Sequence, residues 1–428
     1  YILITAIYLS TIFSASYSVA FDAYKNNNQE VALNIISELI KKDSKNDKYY
    51  DLASKIYYSI GDLDKSNTNI LKAIEIKSDS EDYREYQKQL EELKNGIKSA
   101  QKTFDNGYVE ESLSEYEVLI KKFPNSPVAY YSIGLIYLKT GNYGSSVNNL
   151  NKALEINPYN EEKYNKSILS ISQRLAKKGD EQYRIREFNS ALELYLEAVD
   201  YYPEFVAVLY RISNVYQQLN DYYNAKVFAE RTIVYDNAHF KAMKTLGDLH
   251  YRMGDAEESA RCYNKSIAIN SNYYKAYYSL AQLFNDQGKV ESAIENLNSA
   301  IQINPKYDKA YILLGVIYSD SSNYENAILN FNEAVSLNSK NYKVYFRLAE
   351  VYNKSSRYSR AKESAKNALK IKKNYAGAYF ELGYAELFMC NKVAAQDAFE
   401  KAKRDKTYRK SAKHYLENLN QLFSKNCN

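Results

Sequence analysis

From residue 308 the apolar positions fall into helical register twice. Tyr311, Leu314, Gly315 and Tyr318 follow the spacing i, i+3, i+4, i+7, and after Asn323 the set Ala327, Phe331, Ala334 and Val335 follows i, i+4, i+7, i+8. Each spacing places its residues on one stripe of a helix. The stretch therefore predicts a short helical hairpin. The phrase returns at a 34-residue interval, as PVAYYSIGLIYLKTGNYGSSVNNLNKALEINP from 127 and YKAYYSLAQLFNDQGKVESAIENLNSAIQINP from 274. In that register units start at 47, 93, 127, 172, 206, 240, 274, 308, 342 and 376, with a partial one at 13. A lone hairpin of this length cannot bury both stripes, so neighbours must stack and share a continuous core. The expected fold is all-α, a solenoid of stacked helix-turn-helix repeats rather than two or three globules.

Proline and glycine test the register independently. Pro124, Pro158, Pro203 and Pro305 occupy unit position 32 and Pro127 position 1, between helices, where a missing N–H breaks no ladder. Gly61, Gly107, Gly141, Gly254 and Gly288 share position 15, which reads as a left-handed helix stop. Gly134, Gly179, Gly247, Gly315 and Gly383 share position 8, inside a helix. There glycine costs about 1 kcal/mol relative to alanine, and close approach of a second helix is the expected compensation.

The pattern aromatic-x2-Leu-Gly-x2-Tyr, then Ala-x3-Phe, then Pro, met here as Tyr277-x2-Leu280-Ala281-x2-Phe284, Ala293-x3-Leu297 and Pro305, resembles the tetratricopeptide repeat. The likeness covers nearly the whole chain after residue 46 and implies a right-handed superhelix with an inner, concave face. It departs from the pattern at Gly96, where the first aromatic should stand, and at Gln182 and His250, which replace the later tyrosine. The organisation expected is a partial first repeat over 21–46, N-terminal repeats over 47–171 with helical extensions at 81–92 and 161–171, a regular array over 172–405, and a capping helix and tail over 406–428.

On a 100° wheel, positions 4, 7, 8 and 11 share one side and read as core, whereas 2, 5, 9, 12 and 13 form a neighbouring face. The resemblance implies that this second face lines the groove. Tyr131, Tyr210, Tyr278, Phe346 and Phe380 stand at position 5, Tyr183 and Tyr251 at position 12, and Tyr384 at position 9. Lys241, Lys275, Lys309 and Lys343 repeat at position 2 of four successive units. Rings beside a row of ammonium groups suit an extended polypeptide whose acidic and apolar side chains alternate. The basic clamp that some family members use on acidic C-termini is matched at Lys343 and Arg347, but Tyr278 and Leu313 stand where it needs Lys and Asn.

Composition adds limits. Forty-six tyrosines beside no tryptophan also fit a drift that writes Tyr wherever a ring is needed. The net charge of +5 selects no partner, yet residues 357–428 hold 16 Lys and Arg against 7 Asp and Glu. Lys401, Lys403, Arg404, Lys406, Arg409 and Lys410 cluster there, which leaves an anionic envelope polymer, a lipid surface or nucleic acid as the alternative contact. Cys262, Cys390 and Cys427 suggest no disulfide framework or CxxC pair, and His239, His250 and His414 share no ligand spacing. No nucleophile and base set or phosphate loop stands outside repeat-phased positions, so neither catalysis nor a cofactor is expected. Residues 1–21 are uncharged and carry Ser14-Ala15-Ser16 and Ser18-Val19-Ala20. They read as a signal peptide ending near residue 20, an uncleaved anchor, or the first amphipathic helix. Export to a periplasm or cell envelope is the expected location.

Overall fold

A computed structural model describes residues 16–427, in which 24 α-helices and no strand are found. The chain falls into two units, residues up to Val215 and residues from Tyr216 onward. In the first, hairpins form from Tyr17–Lys25 with Gln29–Lys42, Asp47–Ser59 with Leu63–Ile76, Glu81–Asp105 with Val109–Lys122, Pro127–Thr140 with Tyr143–Ile156, and Glu161–Arg184 with Phe188–Tyr201. The segments at 81–92 and 161–171 run without a break into the first helix of the following unit, which explains its greater length. Helix Val206–Gln218 carries the boundary. In the second, Tyr222–Tyr235 is followed by hairpins Phe240–Arg252 with Ala256–Ile269, Tyr274–Asp286 with Val290–Ile303, Asp308–Asp320 with Tyr324–Leu337, Tyr342–Lys354 with Tyr358–Ile371, and Ala376–Phe388 with Lys392–Ala402.

Position 15 reverses the chain in every unit. The glycines there have φ between 72° and 91°, and where glycine is absent Asn27, Arg186, Asn220, Ser322, Ser356 and Cys390 take the same left-handed conformation, with φ between 57° and 67°. The next residue, usually Asp or Asn, caps the second helix: Asp62 accepts from the Lys65 N–H at 3.0 Å and Asp255 from that of Glu258 at 3.1 Å. A side chain at left-handed φ is strained, so Ser356→Gly should stabilise the chain by about 0.5–1 kcal/mol in denaturant unfolding, once the greater freedom of unfolded glycine is subtracted.

Position 8 meets the expected neighbour. A Cβ on Gly315 would lie 2.6 Å from the Phe331 ring, one on Gly247 2.5 Å from Tyr263, and one on Gly383 2.9 Å from Phe399. The crossing ring stands at position 24, on the opposite helix of the same hairpin. Where position 20 is serine it adds a hydrogen bond across the crossing, with Ser259 Oγ donating to the Gly247 carbonyl at 2.9 Å and Ser146 Oγ to that of Gly134 at 2.6 Å.

The core stripe differs from the wheel reading. Positions 7 and 8 are buried, but their companions are 3 and 10, as in Ala276, Leu280, Ala281 and Leu283, or Ala310, Leu314, Gly315 and Ile317. Tyr277 at position 4 and Phe284 at position 11 are only half-buried. A methyl group lets the adjacent hairpin approach closely, whereas a phenol at the stripe's edge keeps its hydroxyl near water.

The N-terminal end is described only from residue 16, and the C-terminal end departs from expectation. Helix Tyr17–Lys25 packs into the first hairpin, with Ala20 fully buried among Ala32, Ile36 and Leu52. A boundary at residue 20 thus falls inside a packed helix. The signal-peptide reading otherwise lies on residues 1–15, outside those described. Among the described residues no helix is long and apolar enough to cross a membrane. At the C-terminus the single capping helix is two, Arg409–Glu417 and Leu419–Cys427. They are separated at Asn418, whose Nδ2 donates to the His414 carbonyl at 2.9 Å. Cys390 and Cys427, which suggested no disulfide framework, form a disulfide with Cα atoms 5.6 Å apart, because helix Leu419–Cys427 runs alongside Ala376–Phe388 and ends level with the left-handed corner at Cys390.

Candidate interaction groove

The first helices of successive hairpins present position 1 and position 5 on the same side, one turn apart, and the residue before the next hairpin, position 34, inserts its ring between them. Tyr307 packs edge-on to Tyr274 at 4.8 Å and to Tyr278 at 5.2 Å, and Tyr375 repeats the arrangement with Tyr342 at 4.9 Å and Phe346 at 5.4 Å. Phe240 meets Tyr273 in the same way at 4.8 Å. These three inter-hairpin turns are thus locked to the helix before them by edge-to-face rings, at about 0.5–1.5 kcal/mol per pair beyond their buried area.

Beside the Tyr274, Tyr278 and Tyr307 cluster opens a groove of about 720 Å³, lined also by Lys244, Asp248, Tyr251, Arg252, Lys275 and Lys309. The carboxylates around it are already engaged. Asp248 accepts from Lys244 Nζ at 2.6 Å and from the Tyr263 hydroxyl at 2.8 Å, and Asp286 accepts from the Tyr251 hydroxyl. Arg252 lies over the Tyr222 ring at 5.3 Å. Lys275 and Lys309 are exposed and form no ion pair among the described residues. Lys244, Arg252, Lys275 and Lys309 outnumber Asp248 among the lining residues, so the groove is net positive, set against largely half-buried rings. Burial pushes the Tyr263 phenol well above its ordinary pKa, and the charge of Asp248 adds to the rise. Burial raises Tyr278 and Tyr307 as well, so all three phenols stay neutral through the physiological range.

The sequence-expected residues divide into three groups. Tyr251, Lys275, Tyr278 and Lys309 come together in this groove, although Tyr278 also supports the core around Leu314 and Ile317. Lys241 and Lys343 are exposed, and Arg347 donates to Glu350 at 2.8 Å. The others are covered. Phe346, expected to face a guest, is only 9% exposed and belongs to a core with Ala368 and Ala378, because Tyr375 closes over it. Tyr131 packs on Tyr164 at 5.4 Å with Lys163 Nζ 4.1 Å from its ring, and Tyr183 on Phe188 at 5.4 Å, while Tyr210 is half-buried. Phe380 and Tyr384 lie beneath the C-terminal helices, each 5.7 Å from the Tyr415 ring. His250, which replaces the later tyrosine of the repeat, is half-buried with Nδ1 3.3 Å from Asp255.

Sequence reasoning passed over Lys244, Asp248, Tyr274 and Tyr307. Their signals were available: a Lys and Asp four apart on the inner face, and an aromatic recurring at position 34 in Phe205, Tyr273, Tyr307 and Tyr375. The pairing of an inner-face Asp with the crossing Tyr occurs within the first unit too, where Asp180 accepts from Tyr195 at 2.6 Å and meets Arg211 Nε at 3.1 Å.

The tetratricopeptide repeat model matches residues 127–160, 206–236 and 241–273, and the model of the tetratricopeptide repeat protein 21 C-terminal ARM domain matches 261–378. No curated protein matches the sequence. Solved structures are similar at low identity. YrrB, described as a TPR protein with an unusual peptide-binding site, shares 15% identity over 44% of this chain and 97% of its own, with a TM-score of 0.40. The pilF protein of Pseudomonas aeruginosa shares 17% over 46% of this chain and 90% of its own, at 0.43. A chain of the APC/C Cut9-Hcn1 hetero-tetramer shares 13% over 94% of this chain and 95% of its own, at 0.44.

Proposed function

Because this chain is a tetratricopeptide-repeat protein, and so a protein–protein interaction scaffold, we propose that it holds an extended, acidic polypeptide segment in the groove between Lys244 and Lys309 and performs no chemistry on it. One observation carries the reading: Lys275 and Lys309 are left without counter-ions beside a ring cluster, while the carboxylates nearby are already bonded. Acidic side chains of the guest pair with the two ammonium groups, and an apolar or aromatic one lies against Tyr274 and Tyr278. The uncharged opening of the sequence supports a place in a cell-envelope assembly. The basic C-terminal segment supports an anionic-surface role less well. Lys401, Lys403 and Lys413 are partly spent in ion pairs with Asp397, Glu400 and Glu417 at 2.6, 2.7 and 3.5 Å.

Fluorescent peptides of equal length and aromatic content but opposite charge test the assignment. The acidic set should bind in a salt-dependent manner, and Lys275→Glu with Lys309→Glu should weaken it roughly tenfold or more. Equal binding of acidic and basic peptides, or indifference to the double reversal, would overturn it.

A further inference from the structure

The stacking face of the last hairpin is covered by the chain itself, with Ala412 and Leu419 at positions 3 and 10 of the next register. Phe380 at position 5 and Tyr384 at position 9 correspond to Tyr278 and Gln282, which line the open groove of the hairpin at 274. Here Tyr415 stacks on Phe399 at 5.0 Å and abuts both Phe380 and Tyr384, while Tyr408 lies 5.6 Å from Phe380 with its hydroxyl over Gly377. Ala412 and Leu419 complete the contact as buried residues. Tyr408 and Tyr415 are seven residues apart, so helix Arg409–Glu417 and the residue before it present both rings on one side, as a helical ligand would. A single covalent bond fastens the covering helices, between Cys427 in their last turn and Cys390 at the exposed corner of the hairpin they cover.

We propose that the Cys390–Cys427 disulfide is a redox latch on the terminal cap: oxidised, it holds residues 409–427 over the last stacking face; reduced, it releases that face to a helix bearing two aromatic rings seven residues apart. Exposure of Cys390 makes the bond reachable by a small dithiol. One thiolate of the dithiol attacks a disulfide sulfur and forms a mixed disulfide. The second thiolate then closes the reductant into its own cyclic disulfide. The S–S bond of the protein breaks, and both cysteines leave as thiols, having taken up two electrons and two protons. Without the bond, the segment keeps its ring and aliphatic contacts and the short tether over 403–408, and the effective concentration of its far end at the face drops. The latch is independent of the groove at 274, since its test needs no partner.

Hydrogen exchange on the full chain reads the latch directly, comparing the oxidised protein, the dithiothreitol-reduced protein and Cys427→Ser. In the latter two, amides of 409–427 should exchange faster by up to roughly several hundredfold, the scale of a disulfide closing a loop of this length. Protection over 240–340 should not change. A labelled peptide of residues 403–426 should bind the reduced chain and Cys427→Ser but not the oxidised chain. Unchanged exchange at 409–427, equal peptide binding to the oxidised chain, or loss of protection throughout 240–340 would each overturn the latch, the last by showing a general staple of the fold.

Discussion

Phe331→Ala should lower the unfolding free energy of the second unit by about 3–5 kcal/mol, seen as a fall in the denaturant midpoint. The ring is fully buried, and it fills the space that Gly315 leaves by lacking a side chain, where a Cβ would sit 2.6 Å from its edge. Truncation opens a cavity at the crossing of helices Asp308–Asp320 and Tyr324–Leu337, bordered by Ala327 and Ala334. Little can collapse into it, since those neighbours are themselves small. Gly315→Ala in the wild-type background should cost about 1–3 kcal/mol by forcing the ring off its seat. In the Phe331→Ala background the same change should be neutral or stabilising, because the methyl enters the vacated space and alanine favours helix by about 1 kcal/mol. That reversal of sign is the outcome that assigns the cost to the crossing. If the two changes simply add, the glycine is not there to seat the ring.

Glu381→Gln should stabilise the C-terminal repeats by roughly 3 kcal/mol at pH 8 and have no effect near pH 4, because removal from water pushes the Glu381 carboxyl up to about 7. Asn353 Nδ2 donates to its Oε2 at 2.8 Å, and Glu350 adds like charge that raises it further, while Asn353, Lys354 and Arg347 pull in the opposite direction. Tyr384, Tyr408 and Tyr415 face it from its own helix and from the covering segment, and remain neutral. The native carboxyl keeps its proton up to about 7, whereas the unfolded one releases it near 4.5. Between those values the unfolded state binds fewer protons, so wild-type stability falls as pH rises and levels off above 7. Glutamine keeps the acceptor for Asn353 and removes the titration. Urea midpoints for 357–428, followed by exchange at several pH values, should show a slope in the wild type and none in the variant. A slope that survives in Glu381→Gln would assign it to another group.

The hairpins, their 34-residue register and their left-handed corners could be read from the sequence because each is a local property repeated many times. A glycine at one phase in five units exposes a backbone requirement even where Arg186 or Ser356 later satisfies it at some strain. What escaped was set by small residues or by long-range return of the chain. Ala276 and Ala310 carry little apolar signal, so the wheel centred the core on Tyr277 and Tyr311 and rotated the stripe by one position. Phe346 looked free because its cover, Tyr375, stands outside its helix, in the turn that begins the next hairpin. Cys390 and Cys427 are 37 residues apart, and no spacing rule pairs them until helix Leu419–Cys427 is laid alongside Ala376–Phe388. In the groove, the row of lysines at position 2 was legible as a stripe; that the carboxylates around Lys275 and Lys309 were already engaged required the crossing Tyr263 and the reach of Tyr251.

With 46 tyrosines and no tryptophan, this chain has near-ultraviolet dichroism dominated by phenols, and several of those are held edge-on between one hairpin and the next. The peptide band follows helix content, while the phenol band follows the seating of Tyr273, Tyr307 and Tyr375 against their neighbours. Two optical signals thus separate the winding of each hairpin from the stacking of hairpins on one another, and a state that keeps the first while losing the second would be visible without any label.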